Sequence, residues 1–373
     1  MKVTYISACL DQSGYAEAAR NNIAALDSVG VDVAVTPISF EAKRTDHGRL
    51  GNLIERLSKK DQNSDIRILH ATPHHYPKLV QSGKYNIGYA AWETSLLPKD
   101  WVEKINLLNE VWVPSTHNVK AFQDSGVQIP IFCFPHTFNH EEPRITKPIL
   151  ENKNGDFTFY SIFQWLKRKN PAGLLKAFLT EFTANDSVCL AIKTFLINPG
   201  NLQEADKIKE EIKRIKKTLY LDNQPKILLI SSLLTKDQMQ SLHKEGDCYI
   251  TLNYCEGFGI PIAEAMQAGH PVIATGYGGA ADIIQHEDTG YKVDYMMTPV
   301  SEMPWDMYQG YMQWGEPDLM NARKYMRTVY ENRQKAIEMG QRGKQWIQDN
   351  LSWQIIGQKM QARLQEIEVK IHG

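Results

Sequence analysis

The chain has 373 residues, with 42 basic against 43 acidic side chains and a formal net charge of -1. Such a balance provides no basic footprint for a polyanion, so net charge does not favour a nucleic-acid partner. A composition of 42% hydrophobic and 23% charged residues describes a globular protein of two ordinary domains, with an active site expected between them. The five cysteines are odd in number, scattered and never spaced C-x-x-C, which excludes a disulfide framework or zinc site as a reading; four lie in apolar runs and read as core. The N-terminus alternates like a strand and no run approaches about 18 apolar residues, so a cytoplasmic protein without a membrane span is expected.

In chain order, short β-rich runs alternate with helical patterns, which predicts an α/β protein with parallel sheets. Strands are expected at residues 3–8, 31–38, 66–70, 87–91, 110–113 and 131–134. Residues 142–156 are rich in Pro, Lys, Asn and Gly and read as a linker. The strand pattern then restarts at 158–163, 188–194, 226–230, 248–252 and 272–274. Between them, residues 204–217 place Ile208, Ile212 and Ile215 on one helical face. Residues 301–318 carry Trp305, Tyr308, Tyr311 and Trp314 without a clean period and read as a packed excursion or pocket wall. Helices are expected over 323–339, 342–350 and 353–367.

The segment from Tyr254 to Gly269 is a glycine-containing turn that follows a strand and runs into a helix. Free backbone N–H groups and the positive dipole end at such a helix start suit a diphosphate, and Gly257 and Gly259 let backbone approach it closely. Glu256 precedes the helix and Glu264 lies about two turns along it, so the two carboxylates can reach opposite ends of one ligand, a sugar and a ribose. The competing reading is a helix cap with two surface glutamates.

The run E-G-F-G-x-P-x-x-E-A-M-x-x-G-x-P-V-I-A-T from Glu256 resembles the signature of retaining glycosyltransferase family four, which has the GT-B fold. Similar segments are Gly278-Gly279 with Thr289-Gly290-Tyr291, residues 157–161 with 167–178, residues 111–115, residues 134–136 and residues 351–353. The resemblance implies two Rossmann-like parallel-sheet domains facing a central cleft. These would be an acceptor-side domain at 1–145, a donor domain at 146–350 and a C-terminal helix at 351–373 packing back on the first domain.

It also implies transfer of a sugar, with retention, from a nucleotide-diphosphate sugar to a hydroxyl acceptor such as a glycan. Glu256 would contact the transferred sugar, Glu264 the ribose, the backbone of Phe258 and Gly259 the diphosphate, and Lys169 would neutralise that diphosphate. The family's arginine before this lysine is missing, since Phe163, Gln164 and Trp165 stand there. Arg168 or Lys193 could replace its charge, or each could be an exposed surface cation.

Gly14, after the first strand and opening a helix, is the candidate glycine of the first domain for the donor phosphates. Glu93, where family members carry a histidine nearby, is a candidate acceptor-side carboxylate or a structural residue. His70, His74 and His75 read as loop residues interrupted by Pro73 and Pro77, not as metal ligands. With no D-x-D tripeptide, neither a metal nor another cofactor is expected. The alternatives kept open are a phage-type transferase acting on a modified nucleic-acid base and a GT-B nucleotide-sugar epimerase.

Overall fold

A computed structural model describes residues 1–39, 48–139, 148–150 and 155–373. The chain forms two compact units, Met1–His140 with Ile347–Gly373, and Glu141–Trp346. The domain boundary expected at 145/146, and most of the linker around it, lie outside the described residues.

The first unit alternates β1 (Lys2–Ser7), α1 (Gly14–Ser28), β2 (Asp32–Pro37), α2 (Gly48–Ser58), β3 (Ile66–His70), α3 (Tyr76–Leu79), β4 (Tyr85–Tyr89), α4 (Lys99–Ile105), β5 (Glu110–Val113), α5 (Thr116–Asp124) and β6 (Ile131–Cys133). The strands make one sheet in the order β2-β1-β3-β4-β5-β6, every pairing parallel. Central strands β4 and β5 are buried at every position, as a parallel sheet covered on both faces requires, whereas the edge strands β2 and β6 are not.

The second unit runs β7 (Phe157–Gln164), α6 (Pro171–Glu181), β8 (Val188–Phe195), α7 (Leu202–Thr218), β9 (Lys226–Ile230), α8 (Lys236–Glu245), β10 (Cys248–Thr251), α9 (Ile260–Gln267), β11 (Val272–Thr275), α10 (Ala280–Ile283) and β12 (Gly290–Val293). Its sheet order is β12-β11-β10-β7-β8-β9, again all parallel. Counted from β7, that is the 3-2-1-4-5-6 order of dinucleotide-binding folds, and its topological switch point lies between β7 and β10. Ligands of such sheets bind outside the carboxyl ends of the strands at that point. One face of the sheet packs Phe159, Leu190, Ile192 and Ile250 against Phe178 of α6 and Ile208 and Ile212 of α7, so the isoleucine stripe seen in the sequence is the buried face of its helix.

An antiparallel hairpin, β13 (Tyr295–Pro299) and β14 (Gln313–Pro317), interrupts this pattern before α11 (Leu319–Glu331), α12 (Arg333–Leu351) and α13 (Trp353–His372). The sequence reading has no strands in this excursion because its paired segments lack alternation. It also divides the helices at the wrong place. Gly340 lies inside α12, where a Cβ would stand 2.1 Å from Gly269 O; it marks a close approach and not a break. The interruption falls at Asn332 instead, which ends α11. In the first unit α13 lies along α1, with Trp353 Nε1 donating to Asn21 Oδ1 at 3.0 Å and Gly357 leaving room for Ala25 O.

Candidate active site

The switch point of the second sheet gathers the segments after β7 and β10. After β7 the chain makes one short 3-10 turn, Lys167–Lys169, ended by Asn170 in the left-handed region at φ 50°. Asn170 tolerates that conformation and uses its side chain twice, capping α6 by accepting from Gly173 N at 3.0 Å and donating to Leu252 O at 2.9 Å. Pro171 then occupies the first helical position, where no N–H is needed. Tyr254 N donates to Arg168 O at 2.9 Å, so the two loops are tied together by backbone as well as by side chain.

Glu256 is the centre of this junction. Its carboxylate accepts from Lys169 Nζ, from Asn253 Nδ2, and from an Arg168 guanidinium nitrogen at 3.3 Å, which also donates to Cys255 O at 3.0 Å. Burial pushes the Glu256 carboxyl up, but the Lys169 and Arg168 charges outweigh it and hold it below the usual carboxylate range. The residues assigned by resemblance to sugar and diphosphate therefore touch each other. Arg168 is buried and reaches into this cluster, which removes the reading of a merely exposed cation.

Lys193 is corrected in the same way. It lies two residues before the end of β8, beside Ile162 of β7, is only 7% exposed, and stands over the Phe195 ring at 5.5 Å; among the described residues no acid pairs with it. Burial lowers its pKa to about 8.

The glycines behave differently from one another. Gly259 caps α9 at φ 101°, a conformation that L side chains strain to adopt. Gly257, Phe258 and Gly259 are all buried, and the close backbone approach here is to Gly278-Gly279. A Cβ on Gly279 would stand 2.3 Å from Phe258 Cα and one on Gly278 2.4 Å from Glu256 O, while Gly279 N donates to that same oxygen at 2.8 Å. The second glycine pair thus braces the Glu256 turn, a role the sequence alone does not disclose. Thr251 and Thr275, at the ends of β10 and β11, line a small pocket with Asn253, Glu256 and Tyr277, and the two hydroxyls and Asn253 Oδ1 have no hydrogen-bond partner among the described residues.

Glu264, two turns along α9 and partly exposed, is 3.8 Å from His243 Nε2, whose Nδ1 meets Tyr160 OH at 3.0 Å. This contact was not read from the sequence, since His243 lies in no segment singled out there and Tyr160 enters only as part of residues 157–161.

In the first unit α1 opens at the exposed Gly14, behind Ser13, whose Oγ accepts from Ala16 N at 3.2 Å. Gly14 is not among the glycines at positive φ, so its backbone conformation does not itself require glycine. The next residue, Tyr15, has its hydroxyl on Ala91 N at 2.9 Å, and its ionisation is disfavoured by burial and then by Glu93 nearby. Tyr15, the residue after Gly14, thus ties the start of α1 to the segment that carries Glu93 through Ala91 N. Trp92, by contrast, is core: its ring NH donates to Thr94 Oγ1 and Leu96 O.

The histidine reading needs correction. His70 is the last residue of β3, fully buried, with Nδ1 at 2.7 Å from Tyr5 OH, because its position on a central strand points it into the unit; only His74 and His75 lie on the turn beyond. Among the described residues no group of three or more His, Cys, Asp or Glu gathers as metal ligands would, and no helix is long and apolar enough to cross a membrane.

Residues 144–295 match the family model of glycosyl transferases group 1. Sucrose synthase 2 of Zea mays is 27% identical over 192 residues, 49% of this chain but 22% of that protein, so the match spans about a fifth of that relative's length. Among solved structures, Anabaena HepE in complex with UDP and glucose superposes with a TM-score of 0.67 at 16% identity, over 98% of this chain and 100% of that one. The sucrose-phosphate synthase of Thermosynechococcus elongatus gives 0.68 at 14% identity, over 99% and 100%. With its switch-point loops built around Glu256, the second unit contains the segment similar to glycosyl transferases group 1, and the two parallel-sheet units have the α/β architecture of solved GT-B structures.

Proposed function

We propose that the chain is a retaining glycosyltransferase that moves a hexosyl or pentosyl group from a nucleotide-diphosphate sugar to a hydroxyl acceptor without a metal ion. The observation that carries this reading is the Glu256 carboxylate, fixed by Lys169, Arg168 and Asn253 at the switch point, directly before the N-terminus of α9. Sugar transfer needs the departing diphosphate stabilised where its charge develops. Lys169, Lys193 and the backbone at the start of α9 supply positive potential there, and Arg168 holds the loop that carries Glu256. When the diphosphate enters, Lys169 exchanges its carboxylate partner for phosphate, and Glu256 is released to accept from sugar hydroxyls beside Thr251 and Thr275. Glu264 accepts from the ribose, positioned by His243. A solved structure of similar fold has UDP bound, so uridine is the first nucleoside to test. In the first unit, Gly14 is assigned to the donor phosphates and Glu93 to the acceptor. All five cysteines are free thiols, the state a reducing cytoplasm maintains, and that is the proposed place of action.

A thermal-shift panel of nucleotide sugars, followed by product analysis by NMR with and without EDTA, tests this. A UDP-sugar should raise the melting temperature, transfer should survive the chelator, and the product should keep the donor's anomeric configuration. No stabilising nucleotide, loss of activity restored by Mg2+ or Mn2+, an inverted product, or conversion of donor alone to its epimer would overturn it.

A further inference from the structure

The excursion between β12 and α11 is bound to the loops that build the candidate site. Gly315 N donates to Tyr254 O at 2.9 Å, and the buried Trp314 ring stacks on Tyr254 at 4.7 Å, two residues from Glu256. Tyr295 meets Tyr277, which lines the pocket beside Glu256, at 5.3 Å, and Glu302 pairs with Lys167 at 3.0 Å. The hairpin closes through Val300 N to Met312 O at 2.9 Å, and Val300, Met312 and Trp314 form its buried side.

Other large side chains of the same segment are left outside. Trp305 and Tyr295 are each 41% exposed and Tyr311 38%. Their exposure is not general to the unit's aromatic residues, most of which stack in the core. Residues 294–318 also contain five acids (Asp294, Glu302, Asp306, Glu316 and Asp318) and no lysine or arginine. All five acids are exposed.

We propose that this aromatic, acidic hairpin is the acceptor platform of the enzyme and that its ligand is a neutral saccharide. The proposal rests on the transfer reading of the adjoining site. Aromatic faces take the C–H faces of sugar rings, and carboxylates accept from their hydroxyls. A segment carrying only negative charge repels anionic lipid, nucleic acid and phosphorylated sugars alike. Its contacts with Tyr254 and Tyr277 tie this surface to the loops that carry Glu256.

The test uses the full chain and ligand-observed NMR with maltohexaose, cellohexaose and xylohexaose, glucose 6-phosphate as the charged control, and vesicles of phosphatidylcholine with and without phosphatidylglycerol. At least one neutral oligosaccharide should bind, and Trp305→Ala should weaken it about five- to tenfold, with a smaller loss in Tyr311→Ala and recovery in Trp305→Phe. UDP affinity should be unchanged in all three variants. Absence of binding by every neutral oligosaccharide, binding indifferent to all variants, preference for the phosphorylated sugar, or Trp305-dependent attachment to vesicles or to a second copy of the chain would overturn the platform. Saccharide binding by a wild-type chain that takes no nucleotide would leave the platform standing and remove the transfer reading instead.

Discussion

The carboxyl ends of the two parallel sheets hold buried polar clusters of opposite electrical character. In the first unit His70, Tyr5, Tyr89 and His136 share one cluster, with Tyr89 OH donating to Phe134 O at 2.6 Å and lying 3.1 Å from His136 Nδ1. Burial drives the His70 pKa well below its ordinary value and that of His136 to about 3, so this cluster is neutral at physiological pH. In the second unit the corresponding end holds the charged junction of Lys169 and Arg168 with Glu256, and near the end of β8 stands the buried Lys193, which pairs with no acid among the described residues. A buried excess of positive charge costs stability unless an anion arrives, whereas a neutral hydrogen-bonded cluster needs nothing more. The same sheet end is thus a neutral packed floor in one unit and a charged junction in the other, the junction proposed above to take the donor's diphosphate.

Substituting the shared carboxylate is the strongest way to break this comparison. Glu256→Gln should lower transfer by about a hundredfold, since hydrogen bonds to a charged group contribute roughly 1.5 to 3 kcal/mol and the sugar contact is lost. Bare UDP should bind as well as before or better, because Lys169 is freed from its carboxylate. Calorimetric titration of UDP decides it, and a clear loss of UDP affinity would show that Glu256 is not on the sugar side.

Glu264→Gln should weaken UDP and the complete donor alike, by about tenfold, since both carry the ribose. The same titrations check it, and an effect confined to the complete donor would reverse the roles of the two glutamates.

Lys193→Met sharpens the idea of an unpaired charge. The Lys193 pKa is lowered from 10.5 to about 8 in the folded chain. Between those values the unfolded chain holds the extra proton, so stability contributed through this group rises with pH across that window, and below it the folded chain bears a buried charge. The variant should therefore melt higher than wild type at pH 7, with the advantage shrinking toward pH 10. UDP affinity of the wild type should fall several-fold as pH rises through about 8, and the variant should show no such fall. A wild-type affinity flat across that range would place Lys193 away from the diphosphate.

The first unit offers a pH dependence of the same sign in a more acidic window. His136 has a folded pKa of about 3 against an ordinary 6.5, so the unfolded chain takes up its proton first and stability is lost as pH falls below 6.5. His136→Gln should reduce that acid sensitivity, measured as melting temperature at pH 7 and pH 5, while leaving UDP binding unchanged.

The smallest effect is expected at the helix opening of the first unit. Gly14→Val should lower donor turnover several-fold while moving the melting temperature by no more than about 2 °C, because Gly14 is exposed and in ordinary backbone geometry. A melting temperature that falls in step with activity would make Gly14 a plain turn residue.

Much of this was legible in the sequence because it is local. Periodicity located eleven strand candidates in chain order, three of them (66–70, 110–113 and 226–230) with the observed bounds, since alternating short β-rich runs and helical faces report burial directly. The E-x7-E run located the turn before α9, because a glycine with positive φ and a proline at the first helical turn mark a helix start by their own backbone chemistry. What sequence could not decide was partnership. Whether Arg168 and Lys193 were surface cations or buried ones depended on the strands and loops packed around them. That Glu256 binds Lys169 across 87 positions, that Gly278-Gly279 braces its turn, and that the Tyr15 hydroxyl meets Ala91 N are consequences of sheet order. Local pattern records which face of an element is buried; strand order alone determines what that face meets, and with it which charges are compensated and which await a ligand.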